Sequence, residues 1–237
     1  MKLITENIIE QSAIESLISV GYTYINGKDI SPEGLSCERD SFSQVILIRR
    51  LEEAVEKLNP HIPLPARQQA VQKVLRIFSP DLIHNNETFH QYLVEKIKIP
   101  YQQNGYERSH EVSIVDFENP LNNEFLVVNQ FTIIENNHNK RPDIILFVNG
   151  IPLVTAELKN PSDENATINK AYDQLETYKA TIPGLFTYNS ICIISDGIEC
   201  RAGSLTAGFT RFMTWKTEDG RKEASRFKPQ LDTLIKG

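Results

Sequence analysis

The sequence predicts an α/β fold: a mixed β-sheet flanked by helices, with a helical N-terminal part. Three observations lead there. Apolar residues recur at helical spacing through about the first 100 residues. From Tyr101 to Cys200 they fall instead into short runs rich in β-branched and aromatic residues. One strong helical pattern interrupts those runs, and a further strand follows it, which suggests a mixed sheet flanked by helices.

The elements follow in order. Residues 6–19 carry Ile9, Ala13, Ile14, Leu17 and Ile18 on one helical stripe, and Gly21 ends it. A polar stretch over 27–43, containing Gly and Pro, reads as a long loop. Val45, Ile48, Leu51, Val55 and Leu58 outline a second helix closed by Asn59-Pro60. A third helix is expected over about 65–78 and a weaker fourth over about 87–97. Strands are expected over 112–117, 125–135, 143–148, 152–159 and 190–195. The interrupting helix spans about 164–182, with Ala171, Leu175, Tyr178 and Ile182 on one face and Ser162 or Asp163 as its cap. No repeat or linker divides the 237 residues, which read as one domain. Its helical part covers about 1–100 and its sheet and following helix about 101–205. The segment from Gly220 onward is the expected frayed boundary.

Chemistry concentrates in the strand region. Pro142-Asp143 is followed by Glu157-Leu158-Lys159, the one (D/E)xK triplet in the chain. Glu157 and Lys159 lie two apart in an extended run and so share a face. Two carboxylates suit a magnesium ion, which takes oxygen ligands and keeps several waters. Phosphodiester hydrolysis needs such an ion, and a water made nucleophilic beside it. Lys159 could orient that water, help deprotonate it, or stabilise the phosphate. The competing reading is a cross-strand salt bridge at a sheet edge, and the bare motif leaves the two balanced. Pro80-Asp81 serves as a control, because it falls between predicted helices and no acid-x-Lys follows it closely.

The turn between the two acids makes a geometric demand. Asn149-Gly150 is a strong hairpin signal. A regular two-residue turn would pair Val148 with Ile151 and Asp143 with Ala156, turning Asp143 away from Glu157 and Lys159. A shared metal therefore requires an odd offset. Either a three-residue loop sets Val148 against Pro152, or a bulge lies elsewhere in the hairpin. The opposite face should then be apolar: Ile144, Leu146, Val154, Ala156 and Leu158.

The stretch NQFTIIENNHNKRPDIILFVNGIPLVTAELKNPSDENATINKAYDQLETYKATIPGLFTYNSICIISDG closely resembles the restriction subunit of type I restriction–modification enzymes. The likeness extends to ENIIEQSAIESLISVGY, LNPHIP, NNETFH, DFENPLNNEFLVVNQF and GSLTAGFTRFMTWKT, nearly the whole chain. It implies a restriction-endonuclease-like core, Mg²⁺-dependent cutting of double-stranded DNA, and a complex with methyltransferase and specificity subunits. It implies Asp143 and Glu157 as metal ligands and Lys159 as the catalytic lysine. Gln174 and Tyr178 match the family's QxxxY element, and Glu10 matches an acid that joins the metal shell in the family. On their own, Gln174 and Tyr178 are neighbours on one helix face. They read more simply as a solvent-facing amide and a core ring, a preference the resemblance reverses.

Scope is set by what else the chain holds. Type I restriction subunits couple cutting to an ATP-driven translocase, which needs a GxxxxGK[ST] loop, and Gly27-Lys28 does not make one. ATP therefore belongs to a motor outside this chain, which is either an excised piece of a larger subunit or a freestanding relative. The net charge of −6 argues against strong autonomous DNA binding and for delivery of DNA by a partner. Arg201, Arg211, Lys216, Arg221, Lys222, Arg226 and Lys228 could touch a backbone, or form a solvated mixed face. The five histidines lack HxxxH and HExxH spacing, and His138 reads as a surface residue. No GxSxG elbow is present. Three cysteines without a CxxC pair point to a reducing compartment. No secretion signal or membrane-length apolar run appears, so a cytoplasmic location is expected and the sequons at Asn86 and Asn165 are coincidental. Two other functions fit the same features: a non-catalytic docking module between motor and methyltransferase, and a freestanding resolvase- or exonuclease-like nuclease.

Overall fold

The computed structural model describes residues 6–214, except 105, 161–166 and 198. Helix α1 (Glu6–Ser19) forms where the stripe of Ile9, Ala13, Ile14 and Leu17 predicts it, although Ile18 points outward. It closes in a Schellman turn. Gly21 takes φ 107°, its N–H donates to the Ile18 carbonyl, and the Tyr22 N–H donates to that of Leu17.

Strand β1 (Thr23–Asn26) follows at once, where no strand is expected from the sequence. Its partner is β4 (Phe125–Asn129), about a hundred residues on, with which it pairs in parallel. The long loop then crosses over the sheet and is tied down by two arginines. Arg39 is buried, stacks 3.7 Å from the Phe131 ring centroid and donates to the Gln44 and Thr132 carbonyls. Arg50 holds Glu38 through Nε and Nη2 and reaches Glu124 through Nη1.

Helices α2 (Ile48–Leu58) and α3 (Leu64–Leu75) match their apolar spacing. Helix α4 (Leu82–Glu95) starts five residues before the expected 87, because Asp81 caps it by accepting the Ile83 and His84 N–H groups. The control acid is therefore an N-cap. Asn86 on this helix donates to the carbonyls of Phe186, Thr187 and Asn189, so its amide is a clamp between elements.

Two expected strands are redrawn. Residues 113–117 are not a strand; in their place β2 (Ile97–Gln103) and β3 (Tyr106–Val112) form a separate antiparallel ribbon. The expected strand over 125–135 breaks at Gln130, whose φ is 55°. Strand β5 (Ile133–Glu135) turns back through Asn136-Asn137 into β6 (His138–Lys140), leaving His138 exposed.

The main sheet has seven strands in the order β1-β4-β7-β8-β9-β10-β11, with β7 (Ile144–Val148), β8 (Ile151–Leu158), β9 (Ile191–Ser195), β10 (Cys200–Gly203) and β11 (Met213–Thr214). It is mixed, since β8 and β9 run parallel while β7 and β8 run antiparallel. Their crossover contains α5 (Ile168–Thr181) and the short α6 (Pro183–Phe186). Helix α5 begins at Ile168 rather than near 164, with Thr167 at its N-cap. Ser162 and Asp163 lie outside the described residues, as do Lys216, Arg221, Lys222, Arg226, Lys228 and the segment from Gly220.

Two apolar layers sandwich this α/β sheet, the arrangement of a restriction-endonuclease-like fold. On one face α1 packs against Val127, Ile144, Leu146, Ala156, Leu158 and Ile193. On the other, Ile145, Phe147, Cys192 and Ile194 meet α5 and the N-terminal helices through Leu51, Val74, Phe89, Ala171 and Leu175. No helix among the described residues is long and apolar enough to cross a membrane.

Candidate active site

The site lies where β7 begins and β8 ends, and one inserted residue creates it. Asn149 (φ 53°) and Gly150 (φ 77°) make a two-residue turn, so Val148 faces Ile151 rather than Pro152. A regular ladder from that turn would set Asp143 across from Ala156. Instead Phe147 pairs with Pro152 and Leu146 with Val154, leaving Leu153 as an extra residue in β8. Beyond the bulge Ile144 faces Ala156, so the next position back, Asp143, stands opposite Glu157. The odd offset that a shared site requires is present, made by a bulge and not by a wider loop.

Both acids consequently face α5, while Ile144, Leu146, Val154, Ala156 and Leu158 line the α1 face. Asp143 is partly exposed, and its Oδ2 accepts the Leu158 N–H at 2.7 Å. Glu157 is only 2% exposed. Lys159 continues past the end of β8, donating its backbone N–H to the Ser195 carbonyl at 2.8 Å. Its Nζ donates to Glu157 Oε1 at 2.5 Å.

Helix α5 delivers Tyr178 and Gln174 to the same place. The Tyr178 ring is part of the apolar core, while its hydroxyl reaches Glu157, Gln174 and, at 3.4 Å, the Arg141 carbonyl. Burial and the adjacent Glu157 and Asp143 carboxylates push its pKa well above the ordinary phenol value. Tyr178 therefore remains a neutral hydrogen-bond donor. Core ring and site hydroxyl prove to be one residue rather than alternatives, and Gln174 is half-buried beside it.

Glu10 reaches the same end of the sheet from the other side. It is buried on α1, and its Oε1 accepts from Asn129 Nδ2 at 2.6 Å. Asn129 pairs with Ile144, next to Asp143, and its Oδ1 accepts from the Tyr24 hydroxyl at 3.0 Å. Among the described residues no three His, Cys, Asp or Glu side chains gather closely enough to hold an ion, so Glu10 does not join Asp143 and Glu157 in one cluster. Asn129 and Tyr24 carry no motif; their role could be found only by placing β1 against β4.

The donor set at the α5 face is two carboxylates, both oxygen ligands. It matches magnesium, which commonly takes one or two carboxylates from a protein and fills its remaining positions with water. An ammonium, an amide and a phenol, all hydrogen-bond donors, surround the two acids. The arrangement can hold a hard cation while offering protons to an anionic ligand beside it.

The chain is similar to known proteins along nearly its whole length. Residues 4–211 match the family described as the type I restriction enzyme R protein N terminus. The endonuclease subunit of the type I restriction enzyme HindI from Haemophilus influenzae is 42% identical over 238 residues, covering 99% of this chain and 23% of that subunit. A type I restriction enzyme endonuclease subunit from Methanocaldococcus jannaschii is 34% identical over 218 residues, 91% of this chain and 21% of its own length. The chain thus spans less than a quarter of the length of these relatives.

Proposed function

The chain belongs to the family of the type I restriction enzyme R protein N terminus, and from that premise we propose that it is a magnesium-dependent endonuclease domain. Its reaction is hydrolysis of phosphodiester bonds in double-stranded DNA. The observation that carries this reading is the Leu153 bulge, which sets Asp143 opposite Glu157 on the face that Tyr178 approaches.

In this reading Asp143 and Glu157 hold the ion. When bound, it neutralises charge on the phosphate and makes a nearby water more acidic. Water adds to phosphorus, the bond to the leaving ester oxygen breaks, and the proton given up by the water ends, through solvent, on that leaving oxygen. Lys159 donates to Glu157 through Nζ. Beside the two acids it orients or helps deprotonate the attacking water, or stabilises a phosphate oxygen. Tyr178, kept neutral by burial, holds its hydroxyl beside the Glu157 carboxylate and the Arg141 carbonyl. Gln174 supports the Tyr178 hydroxyl from one turn earlier on α5. Glu10 acts from behind the sheet end through Asn129, as an outer acid rather than a direct partner of the other two.

The relatives are endonuclease subunits more than four times the length of this match. We therefore place the domain within a larger assembly, in which a translocase uses ATP and methyltransferase and specificity subunits deliver the DNA. The test uses that complete enzyme. Asp143→Ala and Lys159→Ala should each abolish plasmid cleavage while ATP hydrolysis continues. Near-normal cutting by both variants would leave the docking-module reading in its place.

A further inference from the structure

We infer that the β2–β3 ribbon is a DNA-contacting arm, which grips duplex away from the scissile phosphate through a strip of Tyr101, Tyr106, Arg108 and His110. The inference rests on the nuclease reading for its ligand and on the ribbon itself for its geometry.

The ribbon is a two-stranded sheet on its own, paired with no strand of the main sheet. Such a ribbon needs an anchor to be stable. Here the anchor is its base, where Ile97, Ile99 and Val112 are fully buried in the helical core. Register assigns every other side chain to one of two faces. The face that begins with Ile97, Ile99 and Val112 continues outward through His110, the Tyr101–Arg108 pair and Tyr106. Tyr101 and His110 stack nearly parallel, with ring centroids 4.2 Å apart. Tyr106 is 72% exposed at the outer end, and Arg108 is exposed beside it.

Charge separates the two faces. The strip carries a guanidinium, an imidazole and two phenols but no acid. Both acids of the ribbon, Glu107 and Glu111, lie on the other face, opposite Gln102 and Lys98. In a chain of net charge −6, an exposed strip free of acids is the kind of local surface a polyanion can approach. Phenol rings beside a cation offer sugar and phosphate contacts along a duplex backbone. The dimensions also suit duplex. From Ile99 to Gln103 the ribbon extends roughly 13 Å at about 3.4 Å per residue, and a major groove about 12 Å wide admits a two-stranded ribbon.

The base of the ribbon fixes where it acts. Just beyond β3, the Ile114 carbonyl accepts from Asn149 Nδ2 in the β7–β8 turn. That turn is the opposite end of the hairpin from Asp143 and Glu157. The arm therefore contributes affinity and leaves the chemical step alone.

The test measures fluorescence anisotropy of a labelled duplex about three helical turns long, with the 237-residue chain at low salt without divalent metal. Arg108→Ala should weaken binding on the order of fivefold and lower the log–log salt slope by about 1. Tyr106→Ala should weaken binding without changing the slope. Glu107→Gln and Ser109→Ala, on the other face, should leave affinity undiminished. Circular dichroism of each variant should match the wild type, because all four side chains are exposed. Strip variants that bind like wild type would overturn the proposal, pointing to a protein partner for the ribbon. Equal losses on both faces, or a wild-type chain that leaves the duplex free, would overturn it as well. The two readings fail separately: the strip variants are read by binding without metal, whereas Asp143→Ala is read by cleavage in the complete enzyme and tests the nuclease reading alone.

Discussion

The Asp143 carboxylate accepts the Leu158 N–H at 2.7 Å, which fastens it to the backbone between Glu157 and Lys159. Proximity to those two residues thus depends on backbone register and not on a flexible side chain alone. The register in turn depends on Leu153, the unpaired residue of β8. The bulge turns Asp143 to the face of Glu157 while both strands keep their apolar residues on α1.

Tyr178 should separate packing from chemistry. Its ring belongs to the core, and its hydroxyl belongs to the site. Tyr178→Phe keeps the ring, so stability should fall by about 1 kcal/mol or less, while cleavage falls more. Tyr178→Ala should cost about 3–5 kcal/mol through the cavity it leaves. Denaturant unfolding and cleavage per folded molecule check both. Full activity in the Phe variant would reduce Tyr178 to a core residue.

Glu10 is expected to act on the ion at one remove. Glu10→Gln retains an oxygen for the Asn129 amide, so the fold should hold. The lost charge should weaken Mn²⁺ binding by about tenfold, the lower range for outer groups at metal sites. Calorimetry on the purified chain reads this directly. Unchanged affinity would leave Glu10 as a buried structural acid.

The thiols give a pH dependence with a defined sign. Burial raises Cys192 and Cys200 from an ordinary 9.0 to about 12 in the folded chain. The unfolded chain releases these protons first, so their protonation stabilises the fold below pH 9 and that stability is lost as pH rises toward 12. Unfolding free energy should fall across that window and be flatter in a Cys192→Ala/Cys200→Ala variant. At neutral pH a thiol reagent should label exposed Cys37 quickly and the other two only after denaturation.

Legibility in the sequence tracked how local each signal was. Helices α1, α2 and α3 were readable because each carries its own apolar stripe, and the Asp143, Glu157, Lys159 set because its spacing survives without coordinates. Strand β1 was not, since Thr23–Asn26 is four residues long and its partner β4 lies about a hundred residues away. The β2–β3 ribbon was missed because only its base is buried, and its outer residues are polar on both faces. The Asn149-Gly150 turn and the spacing of the two acids require an odd offset, yet they do not choose between loop and bulge. That choice depends on Leu47 and Arg50, which pack against the turn from α2 and the residue before it.

Gly150 tests that choice. The Leu47 N–H donates to its carbonyl at 2.9 Å, bringing the turn against the start of α2. A Cβ at Gly150 would lie 2.5 Å from the Leu47 oxygen and 3.1 Å from the Leu51 nitrogen, and φ of 77° disfavours any L side chain. The turn is thus held tight against the start of α2, and the offset is made further along the strand. Gly150→Ala should therefore destabilise by about 2 kcal/mol, or roughly 4–8 °C in Tm for a chain of this size. The site should not move, because the Leu153 bulge lies between the turn and Glu157 and sets the register independently. Cleavage per folded molecule, measured below the lowered Tm, should equal the wild type. If Gly150→Ala kept its stability but lost cleavage, the turn and not the bulge would be what aligns Asp143 with Glu157.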